Sequence, residues 1–190
     1  MSSEDFTKVV VAGSVADNFL RRCVDEYQEA ERNRRTPRQW AILAGRIESV
    51  LHAEALYDAA NIRDADPFLI ADYQDRRAPA YGGVYKDTRR GYQSDGRDLL
   101  NVMRRAQAEG REILGSIHMH ADLQNLDRPD EISPLMTELA TPIDHDLFKA
   151  SGWPLNLILY MERSERELRW VLSAWVPGRN PESDYHQVAE

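Results

Sequence analysis

An α/β domain built on a mixed, curved sheet flanked by helices is predicted for this chain by three observations. Short β-branched or apolar runs of strand length are interspersed with stretches whose apolar residues recur at helical spacing. Two pairs of strand-like runs, WAILAGRI with VLHAEALY and WPLNLILYM with LRWVLSAWV, are each separated only by a short polar turn, the pattern of antiparallel hairpins. The run REILGSIHMH follows a helical stretch directly, so helices and strands are mixed along the chain and a purely parallel, doubly wound sheet fits less well.

Taken in order, KVVVAG (residues 8–13) reads as a strand. From Ser14 the apolar residues Val15, Phe19, Cys23, Val24 and Tyr27 mark one face of a helix, with Ser14 and Asp17 as its expected N-terminal cap. Cys23 falls on that apolar face and reads as a packing residue. Residues 29–35 form a charged, solvated helix end, and the first hairpin follows Pro37, turning at Glu48-Ser49. From Asp58 to Gly96, Pro67, Pro79, Gly82, Gly83 and Gly91 interrupt every periodic run, so this stretch is expected to be mostly loop with one short helix near Phe68 to Tyr73. Arg97 to Glu109 places Leu99, Val102, Met103 and Ala106 on one helical face, with Gly110 at the C-terminal cap. In the strand after it, alternation puts Ser116, His118 and His120 on one face and Ile113, Ile117 and Met119 on the other. A polar insertion spans 121–140, Thr141-Pro142 opens a helix running to about Ala150, and the second hairpin closes the domain. Residues 178–190 read as a polar tail without pattern, expected to fray.

Composition excludes several classes. The chain has 190 residues, 42% hydrophobic and 29% charged, which suits one globular domain, expected over residues 8–177. The net charge of −8 repels a polyanion, so nucleic acid is not the expected partner. No apolar run approaches the roughly 20 residues that cross a bilayer, and MSSEDFTK lacks the features of a signal peptide. No membrane association and a cytoplasmic location are expected. A single cysteine rules out an internal disulfide and cysteine-rich zinc sites, leaving His and carboxylates as possible ligands.

His118 and His120 carry the chemistry. Two imidazoles at a spacing of two project from one side of a strand within a few ångströms of each other, as needed to hold a divalent ion through two nitrogens. Asp144, three residues after the expected cap Thr141 and with Pro142 at the first helical position, is a third ligand that would leave a fourth position open. As a helix-capping pair, Thr141 and Asp144 are equally well explained. Asp146 and His145, and Asp122, Asp127, Asp130 and Glu131 in the insertion, are rival ligands that spacing does not separate.

GREILGSIHMH, preceded by a helix ending in Glu-Gly, resembles the glycine-led strand ending in His-x-His of the JAMM/MPN (JAB-domain) zinc metalloproteases, in particular the small free-standing prokaryotic members. Thr141-Pro-Ile-Asp144 resembles that family's Ser-x-x-Asp element, and WAILAG after Pro37 its first core strand; the resemblance covers roughly 8–177. It implies an MPN/JAB-like fold, a cytidine-deaminase-like α/β sandwich, with Zn2+ held by His118, His120 and Asp144 and with Thr141 helping to stabilise the oxyanion. It departs from the family in three places. Ala121 stands where proline usually follows the second histidine, and the interval from His120 to Asp144 is about twice the family's usual one. The position of the family's glutamate, the general base, falls on Arg38 or Gln39, neither of which is a carboxylate. Glu48 and Glu54 in the first hairpin, and Glu131 and Glu138 in the insertion, are the replacement acids in sequence.

The function this implies is a zinc-dependent hydrolase cleaving an amide or isopeptide bond by metal-activated water, either a JAMM-type metallopeptidase or a small-molecule amidohydrolase. A ubiquitin-like or sulfur-carrier protein conjugate is the implied macromolecular substrate. The alternative is a non-catalytic MPN-like binding or scaffold module lacking the base. Arg89 and Arg90 beside Tyr92 can clamp an anionic group, Trp153 and Asn156 can line a pocket, and His52 and His186 have no evident partner.

Overall fold

The computed structural model describes residues 8–63, 65–81, 91–125, 140–164, 167–178 and 185–188. Strand β1 (Val9–Val11) leads into helix α1 (Gly13–Asn33), and the first hairpin is β2 (Trp40–Ile47) with β3 (Leu51–Tyr57). Helix α2 (Pro67–Asp72) runs through a π-helical turn (Tyr73–Arg77) into the single-turn α3 (Ala78–Tyr81). Helix α4 (Gly96–Ala108), strand β4 (Glu112–Ala121), a 3-10 turn (Asp122–Asn125) and helix α5 (Pro142–Ser151) follow. Strands β5 (Leu155–Arg163), β6 (Leu168–Pro177) and β7 (Tyr185–Gln187) close the chain.

The seven strands form one mixed sheet in the order β1-β3-β2-β4-β5-β6-β7. β1 with β3 and β4 with β5 are parallel, and every other pair is antiparallel. Helix α1 covers one face. Its stripe of Val15, Phe19, Cys23, Tyr27 and Ala30 is buried on Leu43, Leu51, Ile117, Leu157 and their neighbours. Helices α4 and α5 cover the other face, Val102 and Ala106 over Ile42, Ala44 and Tyr57, and Phe148 over Ile158, Tyr160 and Trp175. A pocket opens beside β4, lined by Pro37 to Trp40, Tyr92 and the start of α5. Cys23 is fully buried and its burial pushes the thiol pKa up, as suits a packing residue. No helix among the described residues is long and apolar enough to cross a membrane.

Several local expectations are corrected. The N-cap of α1 is Ala12, with no side-chain cap, in place of Ser14. Ala12 extends the β1 ladder by donating its N–H to Ala53 O at 2.9 Å, so the helix begins at once and Ser14 falls inside its first turn. The broken stretch from Asp58 holds more helix than one short piece, because Asp66 caps α2 through Phe68 N–H and the chain continues through the π turn. Met103 stays 48% exposed on α4 beside the buried Val102. In the tail, Tyr185–Gln187 pairs with β6, and the Tyr185 hydroxyl donates to Phe148 O at 3.0 Å, tying the end of the chain to α5.

A further correction concerns β4. Leu43 pairs with Gly115 but Ala44 pairs with Ile113, leaving Leu114 as an extra residue in a bulge. Leu114 therefore turns to the α1 face, while Ile113 packs with Ile42 and Ala44 under α4, on the face that carries the histidines. A second irregularity between Ala44 and Gly45 shifts the register against β3. Such bulges add twist and curvature to the sheet.

Candidate metal centre

His118 and His120 lie on the α5-facing side of β4, near the carboxyl end of the central parallel pair, where ligands of α/β sheets commonly sit. His118 packs against Tyr92 and Phe148, and His120 meets the Tyr160 ring edge-on at 5.4 Å. Helix α5 points its N-terminus at them. Thr141 is its N-cap, Pro142 takes the first turn, and Asp144 closes a capping box. The Thr141 N–H and hydroxyl both donate to Asp144 Oδ2, at 2.7 and 2.6 Å. This leaves the carboxylate 4% exposed and aimed at the imidazoles.

The three side chains converge. His118 Nε2 is 3.2 Å from His120 Nε2 and 3.2 Å from Asp144 Oδ1, and His120 Nε2 is 3.3 Å from Asp144 Oδ2. Ligand atoms about 2.0–2.1 Å from a tetrahedral ion stand about 3.3 Å apart, so these separations fit a small divalent cation. Two imidazole nitrogens and a carboxylate facing one another also crowd lone pairs together, and a cation at the centre satisfies all three. Burial pushes the Asp144 carboxyl up, but the His120 and His118 imidazoles outweigh it and hold it well below the usual carboxylate range. Burial pushes His118 below the ordinary histidine value, against the opposing pull of Asp144. An ionised aspartate beside a neutral histidine is the protonation state that metal ligands require. The buried cluster can hold a metal ion.

A pocket opens beside the cluster, walled by Trp40 and Tyr92, whose rings stack at 4.8 Å and 16°. Tyr92 is pinned from behind. Its hydroxyl donates to Ser116 Oγ at 2.7 Å, and Ser116 donates to Asn156 Oδ1 at 3.0 Å. Asn61 Oδ1 accepts the Gln93 N–H at 3.0 Å, holding the segment that carries Tyr92. Ser116→Ala strips partners from both Tyr92 and Asn156 in a buried setting. We expect a loss of about 2 kcal/mol in urea unfolding with the metal-binding residues untouched.

Of the residues singled out in the sequence, His118, His120, Asp144 and Thr141 come together, and Arg38 and Gln39 line the same pocket. Gln39 Oε1 accepts from Arg22 at 3.0 Å, and its backbone carbonyl accepts the Met119 N–H. Glu48 is not among the residues lining this pocket. Glu48 lies in the turn beyond the far end of β2, paired with Arg46 and 3.9 Å from His52. At about 3.3 Å per strand residue, that turn is roughly 25 Å from Trp40. Glu54 is held by Arg46 at 2.7 Å on the adjoining strand.

Among the rival ligands, Asp146 is exposed and bonded to the Tyr81 hydroxyl, and His145 packs edge-on against Trp175. Asp122 accepts from the Tyr27 hydroxyl and the Arg163 N–H. Asn156 is buried behind the site, Trp153 packs under α4, and His186 is exposed on β7. Arg89, Arg90, Asp127, Asp130, Glu131 and Glu138 lie outside the described residues. Sequence reasoning missed Trp40, Tyr92 and Asn61 as pocket residues; Gly91 beside Tyr92 was the one local signal.

No protein-family model matches this chain, and no curated protein matches it. Fold and site define an α/β protein with a mixed curved sheet and a buried two-histidine, one-aspartate cluster able to hold a metal ion.

Proposed function

We propose that this chain is a zinc-dependent hydrolase of JAMM/MPN type that cleaves an amide or isopeptide bond with water. The observation that carries the reading is the convergence of His118, His120 and Asp144 within 3.2–3.3 Å beside an open pocket. Two nitrogens and one carboxylate suit zinc, which when bound supplies a Lewis acid that brings the acidity of water into the neutral range. Thr141 orients Asp144 through its N–H and hydroxyl. Trp40 and Tyr92 wall the site and exclude water from its side. The motif resemblance and the order of strands and helices support an MPN-like fold. Substrates in this reading are small amides or conjugates of ubiquitin-like or sulfur-carrier proteins.

One observation favours the second reading, a non-catalytic MPN-like module. Among the described residues Asp144 is the sole carboxylate lining the pocket, and it is engaged by Thr141 and both histidines. The proton acceptor has to come from elsewhere.

Zinc-loaded protein assayed on a generic isopeptide and on simple N-acyl amides separates the two readings. The hydrolase reading expects turnover that falls at least about a hundredfold on chelation and returns with zinc. Stoichiometric zinc with no turnover of any substrate supports the module.

A further inference from the structure

Trp40, the first residue of β2, stands directly across from His118 in the β2–β4 ladder, and its side chain packs on the face of the sheet that carries the histidines. Facing Cβ atoms of an antiparallel pair are only about 4.5–5.5 Å apart, so the indole is an immediate neighbour of the cluster. Tyr92 extends the same wall. Its ring stacks on the indole at 4.8 Å and 16° and lies 5.2 Å from the His118 ring. Both residues are half-buried and line the pocket, with Pro37 and Ile143 as further apolar lining. The wall is fixed before any guest arrives. The Tyr92 hydroxyl bonds Ser116 Oγ at 2.7 Å, the Gln93 N–H donates to Asn61 Oδ1 at 3.0 Å, and the Trp40 carbonyl accepts from Arg22 Nη2 at 3.4 Å. A preorganised pair of rings costs little ordering on binding, and its π surface favours a flat aromatic group over a flexible aliphatic one of similar size. Because the wall abuts His118 itself, it meets the group one or two bonds from a carbonyl presented to the converging ligand atoms.

We propose that Trp40 and Tyr92 are the specificity-determining residues of this site, selecting small amides whose acyl group carries an aromatic ring next to the scissile carbonyl. This rests on the hydrolase reading for the reaction but not for the binding, and it favours small amides over protein conjugates as substrates. In the reaction, water adds across the amide: a C–O bond forms at the acyl carbon, the C–N bond breaks, and a proton passes to the leaving nitrogen. The products are an aromatic carboxylic acid and an amine.

The test is an NMR titration with N-methylphenylacetamide and with N-methylhexanamide, which share the scissile amide and differ in the ring. Binding is read at the assigned Trp40 indole N–H, in metal-free and in zinc-loaded protein. The aromatic amide is expected to bind about three- to tenfold more tightly than the aliphatic one in both forms, with a shift of the Trp40 signal. Trp40→Leu keeps an apolar side chain without a π face and, with binding read from backbone signals, is expected to bring the ratio close to one while zinc content stays at the wild-type level. Equal affinity for the two amides in wild type, no shift of the Trp40 indole, or a ratio that survives in Trp40→Leu overturns the proposal. The comparison in wild type stands even if the variant fails to fold. A Trp40-dependent aromatic preference with no turnover of either amide overturns the hydrolase reading alone. Zinc-dependent isopeptide cleavage without aromatic preference overturns the present proposal alone.

Discussion

Asp144→Asn, His118→Ala and His120→Ala are each expected to reduce bound zinc from near one ion per chain to below about a tenth, an affinity loss of at least about a hundredfold. The three side chains face one another at 3.2–3.3 Å, so none is dispensable to a centre with three protein ligands. Metal analysis by mass spectrometry, on protein purified without added metal and again after reconstitution, checks this. Thr141→Ala removes the hydroxyl that donates to Asp144 Oδ2 and is expected to weaken binding about ten- to a hundredfold, in line with other partners of ligating carboxylates. Asp146→Asn alters an exposed residue bonded to Tyr81 and is expected to leave zinc unchanged. Zinc absent from the wild-type protein even after reconstitution would overturn the metal centre.

Gly115→Ala is expected to cost about 3 kcal/mol or more, a large fraction of a typical domain's stability. A Cβ at this position would sit 1.6 Å from Leu155 O and 2.8 Å from Leu155 C, both backbone atoms that cannot turn aside. Relief requires prising β4 from β5, the parallel pair on which the histidines stand. Urea unfolding would show the loss as a lower midpoint, and reduced soluble yield would accompany it. Gly96→Ala is the control. Nothing lies within 4 Å of a Cβ there, at the first residue of α4, so stability is expected to stay within about 0.5 kcal/mol of wild type.

The elements that were legible are those whose signal is local. The stripe from Val15 to Tyr27, the alternation that puts His118 and His120 on one side of β4, and the pairing of Thr141 with Asp144 all act within a few residues, through repeats set by backbone geometry. The phase of β4 before Gly115 was not legible. Alternation places Ile113 opposite the histidines, yet the close approach of Gly115 to Leu155 and the extra residue at Leu114 move it to their side. The strand at Tyr185 was hidden for a similar reason. Three residues carry too little pattern alone, and their pairing with β6 depends on a partner distant in sequence.

The sequence by itself determined the alternation of helices and strands, the two hairpins, the shared face of the histidines and the cap that readies Asp144. Tertiary structure decided which acid meets them. The sheet order sets β4 beside β5, and α5, which connects them, delivers its N-terminus to the histidine face, so Asp144 reaches the imidazoles while Asp146 faces outward and Glu48 is left at the far end of β2. Trp40, Tyr92 and Asn61 likewise became pocket residues only when separate segments met. Backbone periodicity is fixed over a few residues, but a site is made of side chains brought from distant parts of the chain, and their meeting depends on how the whole sheet is ordered.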